Sequence, residues 1–384
     1  MTKALYPSTP MHVVQALVSL NLGGSELVAT ELSEYLVRCG HRVTVISADG
    51  PLQQRIEACG AVHLPWAMGR KSLATLLYIK HLAAWLEREQ PDVLHVHSRL
   101  PAWICRLALR RLDPSRRPVF ITSMHGHYSV NRYSAVMARG DRVVAVSEHI
   151  REYALYNYPV ADPARVVTIH GGTSPEAFPY GFRPDPQWFS RTFAEFPQLR
   201  GKRLLCLPGR LSRYKGHSVF LELIAALATE FPDIHGVVVG MARPGSRFRS
   251  ELEGLALRNG IPDRITFVGA RLDMRDWMSA SDIVFSLCSD PPEAFGRTVP
   301  EALRLGIPVI AWSHGGVQEV LAEMFPAGAV TPDRPAELLL RTRSFLRTPA
   351  VVLPSSAFLL EDSMNKTLRL YQEAIREHSQ EINA

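Results

Sequence analysis

Short runs of β-branched and other apolar residues alternate with longer segments of helical period along this chain, a pattern typical of α/β folds built on parallel sheets. In the first half, the pattern predicts strands at residues 11–17, 41–47, 92–98, 118–125, 141–147 and 165–170 and helices at 25–39 and 73–89. The alternation starts again near residue 203, with strands at 203–209, 235–240, 265–269, 282–288 and 308–313 and helices at 218–231, 247–259 and 298–305. Two such runs predict two doubly wound, Rossmann-like domains.

The interval between the two runs does not follow this alternation. Residues 175–200 contain five prolines and several aromatic residues, a composition that favours an interdomain linker. We therefore predict an N-terminal domain over residues 1–176, a linker over 177–200, a C-terminal domain over 201–360, and a final segment over 361–384 that holds an amphipathic helix. Because ligands bind at the carboxyl ends of parallel strands, two facing sheets of this kind would form an interdomain cleft.

The composition excludes several classes of protein. Apolar residues make up 46% and charged residues 21% of the 384-residue chain, which excludes a disordered or fibrous protein. No apolar run approaches the roughly 18 residues that a membrane-spanning helix needs, and the N-terminus lacks the pattern of a signal peptide. The five cysteines are widely separated and form no C-x-x-C pair, so we expect no disulfide framework, no thiolate zinc site and a cytoplasmic location.

The net charge of +6 comes from the first half of the chain. Residues 1–170 hold 19 Lys and Arg against 13 Asp and Glu, whereas the remainder is balanced at 24 against 24. The basic residues are densest over residues 99–117, where Arg106 and Arg110 would share one helical face. This stretch is either a solvated face or a surface for an anionic partner such as phospholipid headgroups or a phosphorylated acceptor.

Residues 66–85 form either an interfacial helix or a helix packed on the sheet.

Two features of the first half are candidates for ligand binding. Gly23 and Gly24 lie at a strand-to-helix turn, where paired glycines let backbone N–H groups approach an anion, although a plain tight turn also uses them. His125 closes a predicted strand, and His95 and His97 share one face of another. For this histidine pair, an interior hydrogen-bonded role is favoured over a metal site.

Two further features follow strands of the second half. Arg210 and Lys215 are placed to hold a diphosphate, with surface solubility as the alternative. Glu293 and Glu301 lie eight residues apart, one in a loop and one in the first turn of a helix, where a carboxylate can accept hydrogen bonds from sugar hydroxyls or complement the helix dipole. The sequence contains no HExxH, G-x-S-x-G or D-x-D motif, which disfavours proteases, α/β-hydrolases and metal-dependent sugar transferases.

In combination, these motifs resemble the GT-B fold, retaining glycosyltransferases of family 4 (glycosyl transferases group 1), over about residues 11–375. The resemblance rests on Gly23-Gly24 with Glu26, residues 92–97, His125, Val146-Ser147, Gly209-Arg210, Lys215-Gly216, the E-x7-E pair in EAFGRTVPEAL (293–303), and Gly315-Gly316 with Glu319. The final helix, which contains Tyr371, resembles the one that returns to the N-terminal domain in such proteins.

The resemblance implies roles for individual residues. Arg210 and Lys215 would hold the donor diphosphate, Glu301 the ribose, and Glu293 the hydroxyls of the donor sugar, while His125 would lie beside the anomeric carbon. The implied catalytic residues are His125, Glu293, Arg210 and Lys215. The implied donor-binding residues are Gly23, Gly24, Arg210, Lys215, Glu293, Phe295, Gly296, Arg297, Thr298 and Glu301. On the acceptor side are His95, His97 and Arg99, and no metal or other cofactor is implied.

The expected function is transfer of a sugar, with retained anomeric configuration, from a nucleotide-diphosphate sugar to an anionic glycan or glycolipid. UDP is expected ahead of GDP or ADP, and the expected setting is lipopolysaccharide core, capsule or other cell-envelope synthesis at the cytoplasmic face of the inner membrane. No nucleic-acid partner is expected. The alternatives are a GT-B sugar-nucleotide epimerase and a non-catalytic nucleotide-sugar or glycan-binding protein. A nicotinamide oxidoreductase is disfavoured because neither sheet carries the glycine fingerprint.

Overall fold

A computed structural model describes residues 9–383 of the chain. Residues 1–8 lie outside that range, and with them the start of the predicted N-terminal domain and part of the segment on which the expectation of no signal peptide rests. The chain forms two compact units, the first made of Met1–Gly171 with Glu361–Ala384 and the second of Gly172–Leu360.

Strands and helices alternate through both units. Within the described residues the strands are β1 (His12–Ser19), β2 (Arg42–Ala48), β3 (Val62–Leu64), β4 (Val93–Val96), β5 (Val119–Met124), β6 (Arg142–Ala145), β7 (Val166–Thr168), β8 (Arg203–Pro208), β9 (Ile234–Val239), β10 (Ile265–Gly269), β11 (Ile283–Ser286), β12 (Val309–Trp312) and β13 (Ala329–Val330). The α-helices are α1 (Gly24–Arg38), α2 (Gln53–Ala58), α3 (Leu77–Glu89), α4 (Arg99–Leu109), α5 (Glu148–Asn157), α6 (Pro186–Glu195), α7 (His217–Leu227), α8 (Phe248–Arg258), α9 (Met274–Ser279), α10 (Thr298–Arg304), α11 (Gly315–Met324), α12 (Pro335–Arg347) and α13 (Leu360–Asn383).

The first unit is built on a parallel sheet of seven strands in the order β3-β2-β1-β4-β5-β6-β7. The first six residues of β1 are buried, as expected for a strand in a sheet that is covered on both faces. In this sheet Gln15 of β1 lies opposite His95 of β4. Helix α13 belongs to the same unit, where Leu370, Tyr371 and Ala374 are buried.

The second unit repeats this arrangement with a parallel sheet of six strands in the order β10-β9-β8-β11-β12-β13. Its core includes Phe220 of α7 and Phe285 of β11, whose ring centroids are 5.4 Å apart. In both sheets the first strand lies between the second strand and the fourth, that is, β1 lies between β2 and β4 and β8 lies between β9 and β11. This strand order confirms the predicted pair of doubly wound, Rossmann-like domains.

Residues 177–200, which were predicted as a linker, lie within the second unit. They contain α6, which begins at Pro186 after Asp185, whose carboxylate accepts a hydrogen bond from the backbone N–H of Gln187. Trp188 on this helix is 5% exposed, and its indole N–H donates to the Asp273 carboxylate at 2.6 Å. The aromatic residues of the segment therefore pack as part of the unit, although its prolines interrupt the alternation of strands and helices.

The strands predicted from hydrophobic pattern are all present, with ends displaced by two residues at most. The elements that the pattern did not predict are β3, β13, α2, α4, α5, α6, α9, α11 and α12. Within residues 9–383, no helix is both long and apolar enough to cross a membrane.

Candidate functional site

The strand order of each sheet locates a candidate site. Each sheet has its switch point beside its first strand, between β1 and β4 in the first unit and between β8 and β11 in the second. Doubly wound sheets bind ligands outside the carboxyl ends of the strands at such a point. The segments that follow those strands contain Gly23, His97, Lys215 and Glu293, so most of the residues singled out in the sequence lie where the topology predicts a ligand.

In the second unit, glycines let the segment after β8 pass close to neighbouring backbone. Gly216 has a φ of +77°, and a Cβ atom there would lie 2.2 Å from the carbonyl oxygen of Leu287, which follows β11. Gly240 has a φ of +155°, and a Cβ atom there would lie 2.0 Å from the carbonyl oxygen of Gly209. Only glycine is compatible with these approaches, which hold the segment after β8 against the segments after β9 and β11.

The close approach brings Lys215 against Glu293. The Lys215 ammonium donates a hydrogen bond to Oε1 of the Glu293 carboxylate, and each side chain is 21% exposed. Burial alone would lower the pKa of Lys215, but the combined attraction of Glu293, Cys288 and Tyr214 raises that pKa above its ordinary value. Lys215 is therefore a fixed positive charge at neutral pH, with two further N–H donors available.

Arg210 lies in the same segment as Lys215 and is exposed. Its Nη2 donates to the Tyr214 hydroxyl at 3.1 Å, and no carboxylate partner is present for it among the described residues. The Tyr214 carbonyl in turn accepts a hydrogen bond from the backbone N–H of Ser289 at 2.9 Å. The other arginine of this segment, Arg213, is paired with Glu251. The segment after β8 thus presents the exposed Arg210 guanidinium and the partly buried Lys215 ammonium, two groups suited to phosphate oxygens.

The loop that carries Glu293 packs on the start of α11. A Cβ atom at Gly315, whose φ is +60°, would lie 2.5 Å from the Glu293 carbonyl oxygen, and the backbone N–H of Gly316 donates to the same oxygen at 2.9 Å. Gly296, with a φ of +77°, ends the loop beside Val317. The glycine pair noted in the sequence therefore holds the backbone of the Glu293 loop in position.

Helix α10 follows this loop and carries the second carboxylate of the E-x7-E pair. Glu301 is 8% exposed, and its Oε1 lies 3.4 Å from Nε of Arg297. Phe295 is 4% exposed and packs edge-to-face on Phe358 at 5.6 Å between ring centroids. Thr298 is the first residue of the helix and is half-buried. The structure thus places all the predicted donor-binding residues of the second unit in two adjoining segments.

In the first unit, three histidines form a contiguous cluster. His97 Nδ1 lies 3.0 Å from His125 Nε2, and the ring centroids of His95 and His97 are 4.2 Å apart. His95 uses both ring nitrogens, with Ser123 Oγ at 2.7 Å and Tyr371 Oη at 2.6 Å. His95 is 2% exposed, so it packs against His97 from the interior of the unit and does not face a ligand.

Burial keeps the cluster uncharged at neutral pH. It lowers the pKa of His95 to about 3 and that of His125 to about 4. The pKa of His97 is held well below its ordinary value by burial and by its two histidine neighbours. The rings therefore act as neutral hydrogen-bonding groups. Among the described residues, no group of three or more His, Cys, Asp or Glu side chains is arranged to hold a metal ion.

A cavity of about 370 Å³ opens beside this cluster and brings together His97, Arg99 and His125, which the sequence had singled out. It is also lined by Tyr128 and Tyr133, which the sequence did not single out because they lie outside the predicted elements, and by Lys71 of the 66–85 segment, which was not expected at this site. The Arg99 guanidinium lies 5.1 Å from the Tyr128 ring centroid and 5.6 Å from that of Tyr133. Arg99 is thus held over two aromatic rings at the cavity wall.

The two predicted anion-binding glycines differ in their surroundings. A Cβ atom at Gly23 would lie 2.4 Å from Oε2 of Glu26, whereas one at Gly24 would meet nothing within 4 Å. The next residue, Ser25, lines the 370 Å³ cavity and donates to Glu26 at 2.7 Å. The turn therefore borders the cavity, but neither position requires glycine, because the contact at Gly23 is with the end of the flexible Glu26 side chain.

Apart from Arg99, the arginines of the basic stretch at residues 99–117 lie away from the histidine cluster, and several of them border a different cavity. This cavity measures about 630 Å³ and lies at the amino end of β5, at the opposite edge of the sheet from the histidine cluster. Its lining includes four arginines and three carboxylates, namely Arg106, Arg110, Arg117, Arg139, Asp113, Asp141 and Glu381. The nearly balanced charge favours the interpretation of this stretch as a solvated face.

Both halves of the chain match models of glycosyltransferase families. Residues 22–177 match Glycosyltransferase Family 4, and residues 190–352 match Glycosyl transferases group 1. The lipopolysaccharide core biosynthesis mannosyltransferase LpsB of Rhizobium meliloti is 28% identical over 65% of this chain and 68% of that protein.

Solved structures show the same fold. A glycosyltransferase from Rickettsia africae superimposes with a TM-score of 0.81 at 23% identity, covering 96% of this chain and 99% of that one. Anabaena Alr3699/HepE in complex with UDP and glucose superimposes with a TM-score of 0.75 at 19% identity, covering 97% of this chain and 98% of that one.

Proposed function

Because its two halves match the two domain models of family 4 glycosyltransferases, this chain belongs to that family of GT-B enzymes, and we propose that it transfers a sugar from a nucleotide-diphosphate sugar to a glycan or lipid-linked acceptor. The observation that carries the proposal is the contact between Lys215 and Glu293 at the switch point of the second sheet, with Arg210 exposed in the same segment. Cations suit a diphosphate and a carboxylate suits sugar hydroxyls, so the two parts of a nucleotide sugar find complementary groups side by side.

In this proposal Arg210 and Lys215 bind the diphosphate of the donor. As the bond between sugar and phosphate breaks, the diphosphate gains negative charge, and cations already held in place stabilise that charge without reorganisation. Glu293 keeps one carboxylate oxygen on Lys215 and offers the other to sugar hydroxyls, beside the backbone N–H groups of Phe295 and Gly296. Lys215 thus links the phosphate-binding and sugar-binding parts of the site.

The remaining donor contacts are assigned from the family resemblance and from position. We assign Glu301 to the ribose, and His125 to the transferred sugar beside the anomeric carbon. The other donor-binding residues are Arg297, Thr298, Gly23 and Gly24. The donor nucleotide is proposed to be UDP ahead of GDP or ADP, in keeping with the UDP bound to Anabaena HepE. Transfer is proposed to retain the anomeric configuration and to need no metal, since the sequence has no D-x-D motif.

The acceptor is assigned to the first unit. His97 and Arg99 line its 370 Å³ cavity, and Lys71 adds a second cation there, which favours an acceptor that carries negative charge. His95 lies behind His97 and contributes by supporting it. The similarity to the lipopolysaccharide core mannosyltransferase LpsB supports a role in lipopolysaccharide or related cell-envelope synthesis.

A peripheral contact with the cytoplasmic face of the inner membrane is proposed from the surface next to this cavity. Leu73 is 87% exposed, Leu77 is 73% exposed and Leu76 is 52% exposed, close in sequence to Lys71. Exposed leucines beside cations suit the interface of an anionic bilayer. Flotation with vesicles that contain phosphatidylglycerol, but not with vesicles of phosphatidylcholine alone, is the expected result, and the Leu73→Ser, Leu77→Ser double variant should no longer float.

The donor site is tested by thermal unfolding of the full chain with UDP, GDP, ADP and CMP and their common sugars, with and without EDTA. A ligand at about 100 times its dissociation constant adds roughly 2.7 kcal/mol to the free energy of unfolding, enough to raise the melting temperature by several degrees. One nucleotide should do so in the presence of EDTA. Lys215→Met should lose that shift, whereas Lys202→Met, which changes an exposed lysine of the same unit, should keep it.

Two results would contradict the proposal. If no nucleotide raises the melting temperature of the folded wild-type chain, the proposed donor site is absent. If Lys215→Met shows the full wild-type shift, Lys215 does not bind the nucleotide. Product analysis then separates the alternatives. Rearrangement of the sugar nucleotide without an acceptor indicates an epimerase, and binding without turnover across acceptors indicates a binding protein.

A further inference from the structure

A continuous line of hydrogen bonds, buried as far as His97, runs from α1 to His125. Gln15 of β1 is fully buried and His97 is 2% exposed, so neither side chain exchanges its partners with water. Gln15 Oε1 lies 2.9 Å from His97 Nε2, and His97 Nδ1 lies 3.0 Å from His125 Nε2. In such a line each side chain can donate a hydrogen bond only where its neighbour accepts one. The contacts of Gln15 with α1 therefore determine which atom donates in every later bond, up to His125.

At the α1 end of the line, the Gln15 amide can adopt only one orientation. Gln15 Nε2 lies 3.0 Å from the carbonyl oxygen of Ala29, which can only accept a hydrogen bond, so this atom is the amide nitrogen. The Ser33 hydroxyl donates to the same carbonyl at 2.9 Å and therefore accepts the second amide hydrogen of Gln15 at 2.6 Å. Both amide hydrogens of Gln15 are then in use, and its oxygen faces His97.

The direction at His97 follows from that oxygen. An amide oxygen only accepts, so Nε2 of His97 must carry the hydrogen. Since burial keeps the His97 ring neutral, its Nδ1 has a lone pair and accepts from Nε2 of His125. The His125 ring is neutral as well, so the nitrogen left without a hydrogen is its Nδ1.

We infer that Gln15 and His97 are positioning residues that hold His125 in the tautomer with its hydrogen on Nε2, so that Nδ1 offers a lone pair to a ligand. His125 is half-buried and lines the 370 Å³ cavity, and Nδ1 has no hydrogen-bond partner among the described residues. The ligand atom that meets Nδ1 must therefore donate, as a sugar hydroxyl does and as a carboxylate or fully ionised phosphate oxygen cannot. This last step rests on the proposed function, whereas the tautomer does not.

The tautomer is read directly from the ¹⁵N resonances of the imidazole rings in the ¹⁵N-labelled full-length chain at neutral pH. Long-range ¹H–¹⁵N correlation distinguishes a ring nitrogen that carries hydrogen from one that does not, and the His125 signals are identified by their loss in His125→Gln. We expect an unprotonated Nδ1 and a protonated Nε2 for His125. Hydrogen on Nδ1, or an equal mixture of the two tautomers, would overturn the inference.

The role of Gln15 is tested by Gln15→Glu. A carboxylate at this position stabilises a positively charged His97, which then donates from both nitrogens, so Nε2 of His125 must accept and its hydrogen moves to Nδ1. Gln54→Glu makes the same change at an exposed position of the first unit and should leave His125 as in the wild type. A folded Gln15→Glu chain with an unchanged His125 tautomer would exclude Gln15 as its determinant.

The wild-type spectrum decides the tautomer even where Gln15→Glu does not fold. Gln15→Met then tests the same residue without a buried charge, because removal of the acceptor frees His97 to hold either tautomer. The expected result is a mixture of tautomers at His125, and a single unchanged tautomer would contradict the role of Gln15. Since these spectra need no nucleotide, failure of the donor-site experiment leaves their outcome intact.

Discussion

Replacement of His95 by glutamine should make the first unit markedly less sensitive to acid. His95 is 2% exposed, and its ring nitrogens contact Ser123 Oγ and Tyr371 Oη. Burial lowers the pKa of His95 to about 3 in the folded chain, whereas an unfolded chain titrates near pH 6.5. Since the unfolded state binds the proton and the folded state does not, this group destabilises the fold as pH falls below about 6.5.

The size of the effect follows from the two pKa values. At pH 5 the His95 ring is still neutral in the folded chain. In the unfolded chain it is protonated, because pH 5 lies about 1.5 units below its pKa of about 6.5. At about 1.4 kcal/mol per unit, His95 alone lowers the free energy of unfolding by roughly 2 kcal/mol between pH 7 and pH 5. The glutamine variant lacks this contribution. It should be less stable than the wild type at pH 7, because it loses a hydrogen bond, but its further loss at pH 5 should be smaller by about 2 kcal/mol.

The assay is urea unfolding at pH 7 and pH 5, followed by pulsed hydrogen exchange and mass spectrometry. Peptides from β4 and β5 report on the first unit separately from the second. His81→Gln, which removes an exposed histidine of the same unit, should keep the wild-type pH dependence. If His95→Gln loses as much free energy between the two pH values as the wild type does, the attribution of the pKa shift to burial of His95 is refuted.

Three further substitutions test individual contacts. Gly296→Ala should weaken nucleotide binding several-fold in calorimetric titration, because φ is +77° and the new Cβ would lie 2.6 Å from a methyl carbon of Val317; unchanged affinity would contradict this. Arg304→Met should cost about 2–4 kcal/mol in urea unfolding, because this buried guanidinium donates to two backbone carbonyls and a threonine hydroxyl; a cost under about 1 kcal/mol would contradict it. Tyr371→Phe should cost about 1 kcal/mol in the same assay through loss of the 2.6 Å bond to His95, and an unchanged midpoint would show that the bond contributes nothing.

Hydrophobic pattern was sufficient to predict every strand except the short edge strands β3 and β13, because a buried parallel strand is a nearly continuous apolar run whatever its neighbours are. It did not predict short helices such as α2 and α9, since six residues are too few to establish a helical period. Residues 177–200 were interpreted as a linker from their prolines. Their place in the second unit depends on the packing of Trp188 against Trp277, which local sequence does not reveal.

Some residues of the candidate site could likewise be predicted from the sequence, and others could not. Arg210 and Lys215 could be recognised because cations in the segment that follows a predicted strand are conspicuous in sequence, and Glu293 could be recognised from its eight-residue spacing from Glu301. Gln15 could not, since it lies within a buried strand and its role depends on His97, which is 82 residues away. The bond between His95 and Tyr371 spans 276 residues. Polar residues inside a core become meaningful only when the fold shows which partners they have.

The electrostatics of the two units suit the two parts of the proposed reaction. In the second unit, Arg210 and the raised pKa of Lys215 provide permanent positive charge, which a departing diphosphate requires. In the first unit, burial removes the charge from His95, His97 and His125, and neutral rings can recognise hydroxyl groups without attracting phosphate. We therefore propose that burial of the histidine cluster serves the recognition of hydroxyl groups as well as the fold.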